Sequence, residues 1–188
     1  MAGSANGTRE SVHSASFIQC QDDGVRETPL LLLQALTPED AEAIVAGERA
    51  GQPWAMDYPT PGDVRVAAFA LAGNTKFATE AEPWGLYVIV EKMSGLYVGG
   101  IGFKSPPNER GEVEIGYGVC ESHQGRGVAA EAVLAVCELA RQWSAVVLAE
   151  TDRENVASQR VLEKSGFQSE DLNVELIRWR RDIRGSES

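Results

Sequence analysis

The feature that most limits the fold is a change of period. Three runs, Trp84 to Lys92, Gly95 to Lys104 and Gly111 to Cys120, are rich in β-branched and aromatic residues and are split only by short turns. Directly after them stands "HQGRGVAAEAV", residues 123 to 133, where the spacing turns helical. Val128, Ala132, Val136, Leu139 and Trp143 fall on one stripe, which predicts a helix over 125–144. Three strands in a row with no helix between them fit a mostly antiparallel sheet.

The flanks extend this order. Residues 29 to 35 read as a buried strand, and Thr37 then Pro38, with acids in the first turn, open a helix that Gly51 stops. Residues 52 to 63 form a proline-rich loop, and a second helix runs from Asp63 to Gly73. Beyond the long helix come a strand over 145–151, a helix over 155–166 stopped by Gly166, and two short runs, 167–170 and 174–179, that pair as a hairpin. The order β, α, α, β, β, β, α, β, α, β, β implies an α/β domain of the α+β type. Its central sheet is mixed, mostly antiparallel, of about six to seven strands, and flanked by helices. The domain is expected over 29–181. Residues 1–28, rich in Ser, Gly, Asn and Thr, read as a tail with a candidate short strand at 16–20, and 182–188 read as a second tail.

Composition closes off several classes. The chain has 188 residues, 43% of them apolar, which suits one domain with a packed core. A net charge of −11 argues against a general nucleic-acid binder and fits either a cationic small partner or a plain solvated surface. Cys20, Cys120 and Cys137 are odd in number, widely spaced and without a metal pattern, so a reducing compartment and no metal are expected. No apolar run reaches the ~20 residues of a membrane span, and no signal peptide is visible, so the expected location is cytoplasmic.

Gly125 and Gly127 stand where a helix would begin. A helix N-terminus offers unpaired N–H groups and the positive end of a dipole. Glycines let an anion approach those groups, Ala129 and Ala130 keep the next turn narrow, and Arg126 adds a charge-assisted contact. A glycine-rich connector with no ligand is the alternative. "GRGVAA" also fits the loose dinucleotide pattern, with Glu150 in the next strand. That pattern needs its glycines tight against the first strand of a β–α–β unit, whereas Glu121 to Gln124 intervene here.

The stretch resembles motif A of the GNAT superfamily of acetyl-coenzyme A-dependent N-acetyltransferases, Q/R-x-x-G-x-G/A, filled by Gln124, Gly127 and Ala129. "NVASQRVLEKSGF", beginning 31 residues after Gln124, resembles the family's second signature, and "VEIGYGV" (113 to 119) resembles the preceding strand in the branch with the ribosomal-protein N-acetyltransferases. The resemblance covers about 29 to 180. It implies acetyl-CoA as cosubstrate and acetyl transfer to a primary amine on a small molecule or peptide. It leaves a homodimer open and gives no role to nucleic acid or membrane.

The resemblance also implies roles. Gln124, Gly125, Arg126, Gly127, Val128, Ala129 and Ala130 hold the pyrophosphate. The family splays its fourth and fifth strands, here 112–120 and 146–151, and pantetheine lies along that edge; backbone N–H groups near Val119 and Cys120 would polarise the thioester. Asn155 and Ser158 lie near the coenzyme, or serve simply as an N-cap and a packing residue. Glu114 and Glu150 are the candidate bases for an amine whose pKa is ~10, with Glu112 an outside choice, and each can equally be a sheet-face carboxylate. Many members carry a tyrosine seven residues after the Asn as acid to the leaving thiolate; this chain has Leu162, which leaves Ser158 as the nearest substitute and keeps a non-catalytic acyl-CoA-binding domain open. The segment from Gln52 to Asp63 would cover the acceptor, with Trp54, Asp57 and Tyr58 either meeting a cationic amine or anchoring the loop. His123 reads as a loop residue and Cys120 as an inert structural thiol.

Overall fold

The computed structural model describes residues 19–20, 26–78, 83–171 and 173–184. Nine strands form one sheet: β1 (Gln19–Cys20), β2 (Arg26–Glu27), β3 (Leu31–Ala35), β4 (Leu86–Glu91), β5 (Leu96–Phe103), β6 (Glu112–Val119), β7 (Val146–Asp152), β8 (Gln168–Asp171) and β9 (Leu176–Asp182). Their order across the sheet is β1-β2-β3-β4-β5-β6-β7-β9-β8. Every pairing is antiparallel except β6 with β7, whose crossover passes through the helix α3 (Val128–Ala140). The sheet is therefore mixed and mostly antiparallel, as the order of periods implies, but has more strands than expected. The surplus lies in the supposed tail, where β1 and β2 fold back onto β3. The far end of the domain also reaches further than expected: Asp182 closes β9, and Ile183 is buried with its N–H 2.8 Å from the Ala145 carbonyl. Residues 1–18 and 185–188 lie outside the described residues.

Tyr87, Val88, Ile89 and Val90 of β4 are all buried, the pattern of a strand covered on both faces. On one face α3 packs against β3, β5 and β6 and meets α4 (Val156–Lys164). Its Glu131 accepts the N–H of Leu30 at 2.7 Å, which fixes the entry to β3. The other face carries α1 (Pro38–Ala46) and α2 (Pro61–Leu71), which pack together. Close approach is visible at Gly99, where a Cβ would stand 2.2 Å from the Gly118 carbonyl oxygen.

The helix ends differ from expectation for local reasons. In α1, Thr37 and Asp40 form a capping box, and the left-handed Gly47 (φ 68°) ends the helix before Gly51. α2 begins at Pro61 because Thr60 caps it: the Asp63 N–H donates to Thr60 Oγ1 at 3.2 Å, and the Thr60 N–H donates to Asp63 Oδ2 at 2.8 Å. α3 is shorter than 125–144, since Gly125 and Gly127 take positive φ ahead of it. Trp143 lies past its end, half-exposed, with its ring edge-on to Trp84 at 5.5 Å.

Candidate active site

β6 and β7 run side by side only at their starts. Glu112, Val113 and Glu114 pair with Val146, Val147 and Leu148, and the ladder stops there. The remainder of β6 is still paired with β5, from Ile115↔Phe103 to Val119↔Gly99. The remainder of β7 is paired with β9, from Ala149↔Trp179 to Asp152↔Leu176. Each strand is thus held on its outer side while the two part on their inner sides, opening a wedge. Ile115, Gly116 and Tyr117 line it from β6, Glu150 and Thr151 from β7, and Asn155 and Ser158 from the start of α4.

The parted edge of β6 has a definite polarity. The Lys104 N–H donates to the Glu114 carbonyl at 2.8 Å and the Cys120 N–H to the Val98 carbonyl at 2.9 Å, so the even-numbered groups face β5. Strand alternation turns the groups of Tyr117 and Val119 toward the wedge. This corrects one expectation: Cys120 cannot offer its N–H to a ligand, because Val98 already takes it. The Val119 carbonyl accepts Gln124 Nε2 at 2.9 Å, which ties the motif glutamine to the strand end.

A single 3-10 turn over Glu121–His123 leads from β6 to the glycines. Gly125 and Gly127 have φ of 74° and 87°, a region that costs glycine nothing. Gly127 is the N-cap of α3 and gives its first turn no side-chain cap, so the N–H groups of Val128, Ala129 and Ala130 have no intrahelical partner, and a Cβ at either glycine would meet nothing within 4 Å. Arg126 is more than half exposed, with Nη1 3.9 Å from Glu91 Oε1.

Asn155 caps α4 by accepting the Ser158 N–H at 3.0 Å, so its capping role is met while it lines the wedge. Leu162 is wholly buried in the core. Tyr117, which the pattern of β6 disguises as core beside Val113 and Ile115, crosses to α4 and donates its hydroxyl to the Ser158 carbonyl at 3.1 Å. Burial pushes that phenol up to about 12.

The carboxylates separate by position. Glu150 lines the wedge and accepts Arg178 Nη2 at 3.2 Å. Glu114 is ion-paired with Lys104, which itself lines the wedge. Glu112 is held lower on the strand by Asn108 (3.1 Å) and Arg180 (3.0 Å), which pull its carboxyl below the usual range.

The acceptor segment is built as an anchor. Trp54 bridges to Tyr97 of β5, stacks edge-on with Tyr58 at 5.7 Å and receives the Arg49 guanidinium over its ring at 5.8 Å. Trp54 and Tyr58 are both buried, which favours the anchoring alternative over contact with an amine. Asp57 is exposed but engaged by Ser122, whose two hydrogen bonds hold its carboxyl well below the usual range. The Ser122 hydroxyl also meets His123 Nδ1 at 2.8 Å, and Cys120 Sγ lies 3.4 Å from the same nitrogen. Cys120 is buried, and desolvation raises its thiol, in keeping with an inert role. Asp63, over Gly100, is raised by burial.

Comparison with known proteins places this arrangement. Residues 31–168 match the family model described as an acetyltransferase (GNAT) domain. An uncharacterized N-acetyltransferase of Bacillus subtilis, YjdG, is 34% identical over 95 residues, which are 50% of this chain and 56% of that protein. The chain thus spans about half the length of the curated relative it matches. Among solved structures, the microcin C7 self-immunity acetyltransferase MccE, in complex with acetyl-CoA and AMP, is similar in fold. Its TM-score is 0.62 at 14% identity, covering 86% of this chain and 97% of that one. The ribosomal-protein-S5-alanine acetyltransferase of Vibrio fischeri superposes with a TM-score of 0.57 at 17% identity, covering 87% and 99%.

Proposed function

The chain belongs to the GNAT family of N-acetyltransferases, and on that premise we propose that it moves an acetyl group from acetyl-CoA to a primary amine by direct attack in a ternary complex. The observation that carries this reading is the end of the β6–β7 ladder at Glu114↔Leu148, beside the uncapped start of α3. An extended amide arm can add to the parted edge of β6 as a strand would, through the main-chain groups of Tyr117. Residues 125–130 then receive the pyrophosphate on N–H groups without intrahelical partners, and Arg126, more than half exposed, closes over it by exchanging its long contact with Glu91. The Val119 N–H is the donor left to polarise the thioester carbonyl.

The attacking amine must first lose a proton. Glu150 is the preferred base because it lines the wedge from the strand opposite β6, with Arg178 orienting it. Glu114 remains at the rim, through its pairing with Lys104. Asn155 and Ser158 sit beside the arm of the coenzyme at the start of α4. The acceptor is a small-molecule or peptide amine; the solved relative named for a ribosomal protein supports a peptide N-terminus as one acceptor to try first. Asp57 supports the acceptor side by fixing the covering loop, not by a free charge.

A second reading has one observation in its favour: Leu162 is core, so α4 carries no phenol, and the wedge could bind acyl-CoA without turnover. One experiment establishes the coenzyme and a second separates the readings. Acetyl-CoA at a hundredfold excess over its dissociation constant should stabilise the fold by ~2.7 kcal/mol, whereas NAD should not. An amine panel with acetyl-CoA should then give acetylated product; stabilisation with no product on any amine would favour the binding domain.

A further inference from the structure

When an amine attacks a thioester, the C–S electron pair leaves on sulfur, and the thiolate needs a proton within the wedge. Three side chains with hydroxyls line it: Tyr117, Thr151 and Ser158. Thr151 is buried, its oxygen accepting the Trp179 indole N–H at 2.9 Å, and its hydroxyl is aliphatic, a far weaker acid than a phenol. Ser158 stands in the first turn of α4 and offers an aliphatic hydroxyl, a far weaker acid than a phenol. Tyr117 comes from the parted stretch of β6 itself, the edge along which the coenzyme arm would lie. We infer that Tyr117 is the proton donor to the leaving sulfur, supplied from β6 across the wedge, an assignment that rests on acetyl transfer taking place there.

Two features make the donation workable. The phenol donates to the Ser158 carbonyl at 3.1 Å, which aims the hydroxyl at the α4 side of the wedge. That carbonyl lies inside α4, where the i to i+4 ladder gives it the Leu162 N–H as well. Moving the phenol's hydrogen bond from carbonyl to sulfur therefore strands no acceptor. Burial keeps the hydroxyl protonated at neutral pH until the sulfur demands its proton. The balance is simple. The ammonium gives its first proton to the base and then to solvent, and the nitrogen lone pair forms the C–N bond to give a tetrahedral intermediate. As that intermediate collapses the C–S bond breaks, the phenol proton goes to sulfur, and the second proton on nitrogen passes to the phenolate as the amide forms.

Tyr117→Phe keeps the ring and removes only the hydroxyl. With acetyl-CoA and an amine the wild type acetylates, kcat should fall about 10²-fold or more, while acetyl-CoA affinity and melting temperature hold. Mono- and difluorotyrosine placed at 117 should give kcat values that rise as the phenol becomes more acidic, a trend a packing or positioning role would not produce. Wild-type kcat in Tyr117→Phe, or a loss with no dependence on phenol acidity, overturns the assignment. So does Ser158→Ala showing the large loss of kcat while Tyr117→Phe shows none. A wild type that acetylates no amine at all overturns the transfer reading itself, and Tyr117 falls with it.

Discussion

Ser122 grips Asp57 through both carboxylate oxygens, its N–H 2.9 Å from Oδ2 and its hydroxyl 2.5 Å from Oδ1. One residue belongs to the loop over the expected acceptor side and the other to the turn that leads into the glycines. The contact thus locks two functional segments that are 65 residues apart in sequence. Because these bonds favour the charged carboxylate, the folded-state pKa of Asp57 lies below its unfolded value of ~3.9. Its contribution to stability is present above that unfolded value and is lost as pH falls through the folded one. Melting curves should show Asp57→Asn below wild type at neutral pH, with the gap closing in strong acid. A gap that stays constant with pH would mean the charge is not what holds the loop.

Gly127→Glu should abolish the thermal shift that acetyl-CoA produces, since it sets bulk and negative charge before the free N–H groups of α3. Part of any loss comes from φ of 87°, which a non-glycine residue adopts at a cost. Gly127→Asn controls for this, because asparagine tolerates that region; it should keep a measurable shift. Equal shifts in wild type and Gly127→Glu would move the pyrophosphate elsewhere.

Leu162 is core, so its substitutions should act on stability. Leu162→Ala should cost about 2–5 kcal/mol by denaturant unfolding. Leu162→Tyr should cost ~1–3 kcal/mol from overpacking and raise turnover not at all. A stable, faster Leu162→Tyr would show that α4 has room for a phenol and needs one.

Much of the fold was legible in the sequence, because long periodic stretches announce themselves. The strands at 86–91, 96–103 and 112–119 and the helix after Gly127 follow directly from spacing. The two-residue strand β2 was not legible, being too short to show any alternation, whereas β1 is the described part of the candidate strand at 16–20. The glycine turn was legible as backbone, since two glycines ahead of a helix mark positions of positive φ, which Gly125 and Gly127 both take. The wedge was not legible from spacing alone: where β6 and β7 part depends on register, which the family resemblance implied and the pairing located at Glu114↔Leu148. Tyr117 was missed for the same reason. It shares a strand face with Val113 and Ile115, so alternation marks it as core, and only the parting of the strands turns it toward a cavity. Trp54 and Tyr58 were legible only as two alternatives, amine contact or loop anchor; the bridge of Trp54 to Tyr97 and the burial of both rings favour the anchor.

Glu150→Gln keeps size and removes charge. If Glu150 is the base, kcat should drop ~10²–10⁴-fold with coenzyme affinity intact. Glu114→Gln should cost far less, because Glu114 stands at the rim with Lys104. The reverse order of losses would transfer the role to β6.

The most direct measurement is acetyl transfer itself. Purified protein, acetyl-CoA and a panel of amines (peptide N-termini, amino acids, polyamines and aminoglycosides) are incubated, with free thiol and acetylated amine quantified in parallel by thiol titration and mass spectrometry. The account predicts equal amounts of thiol and N-acetyl product for at least one amine. It also predicts that Gly127→Glu loses both together. Thiol release without acetylated amine, or product formation undiminished in Gly127→Glu, would contradict a transfer reaction housed between β6 and β7.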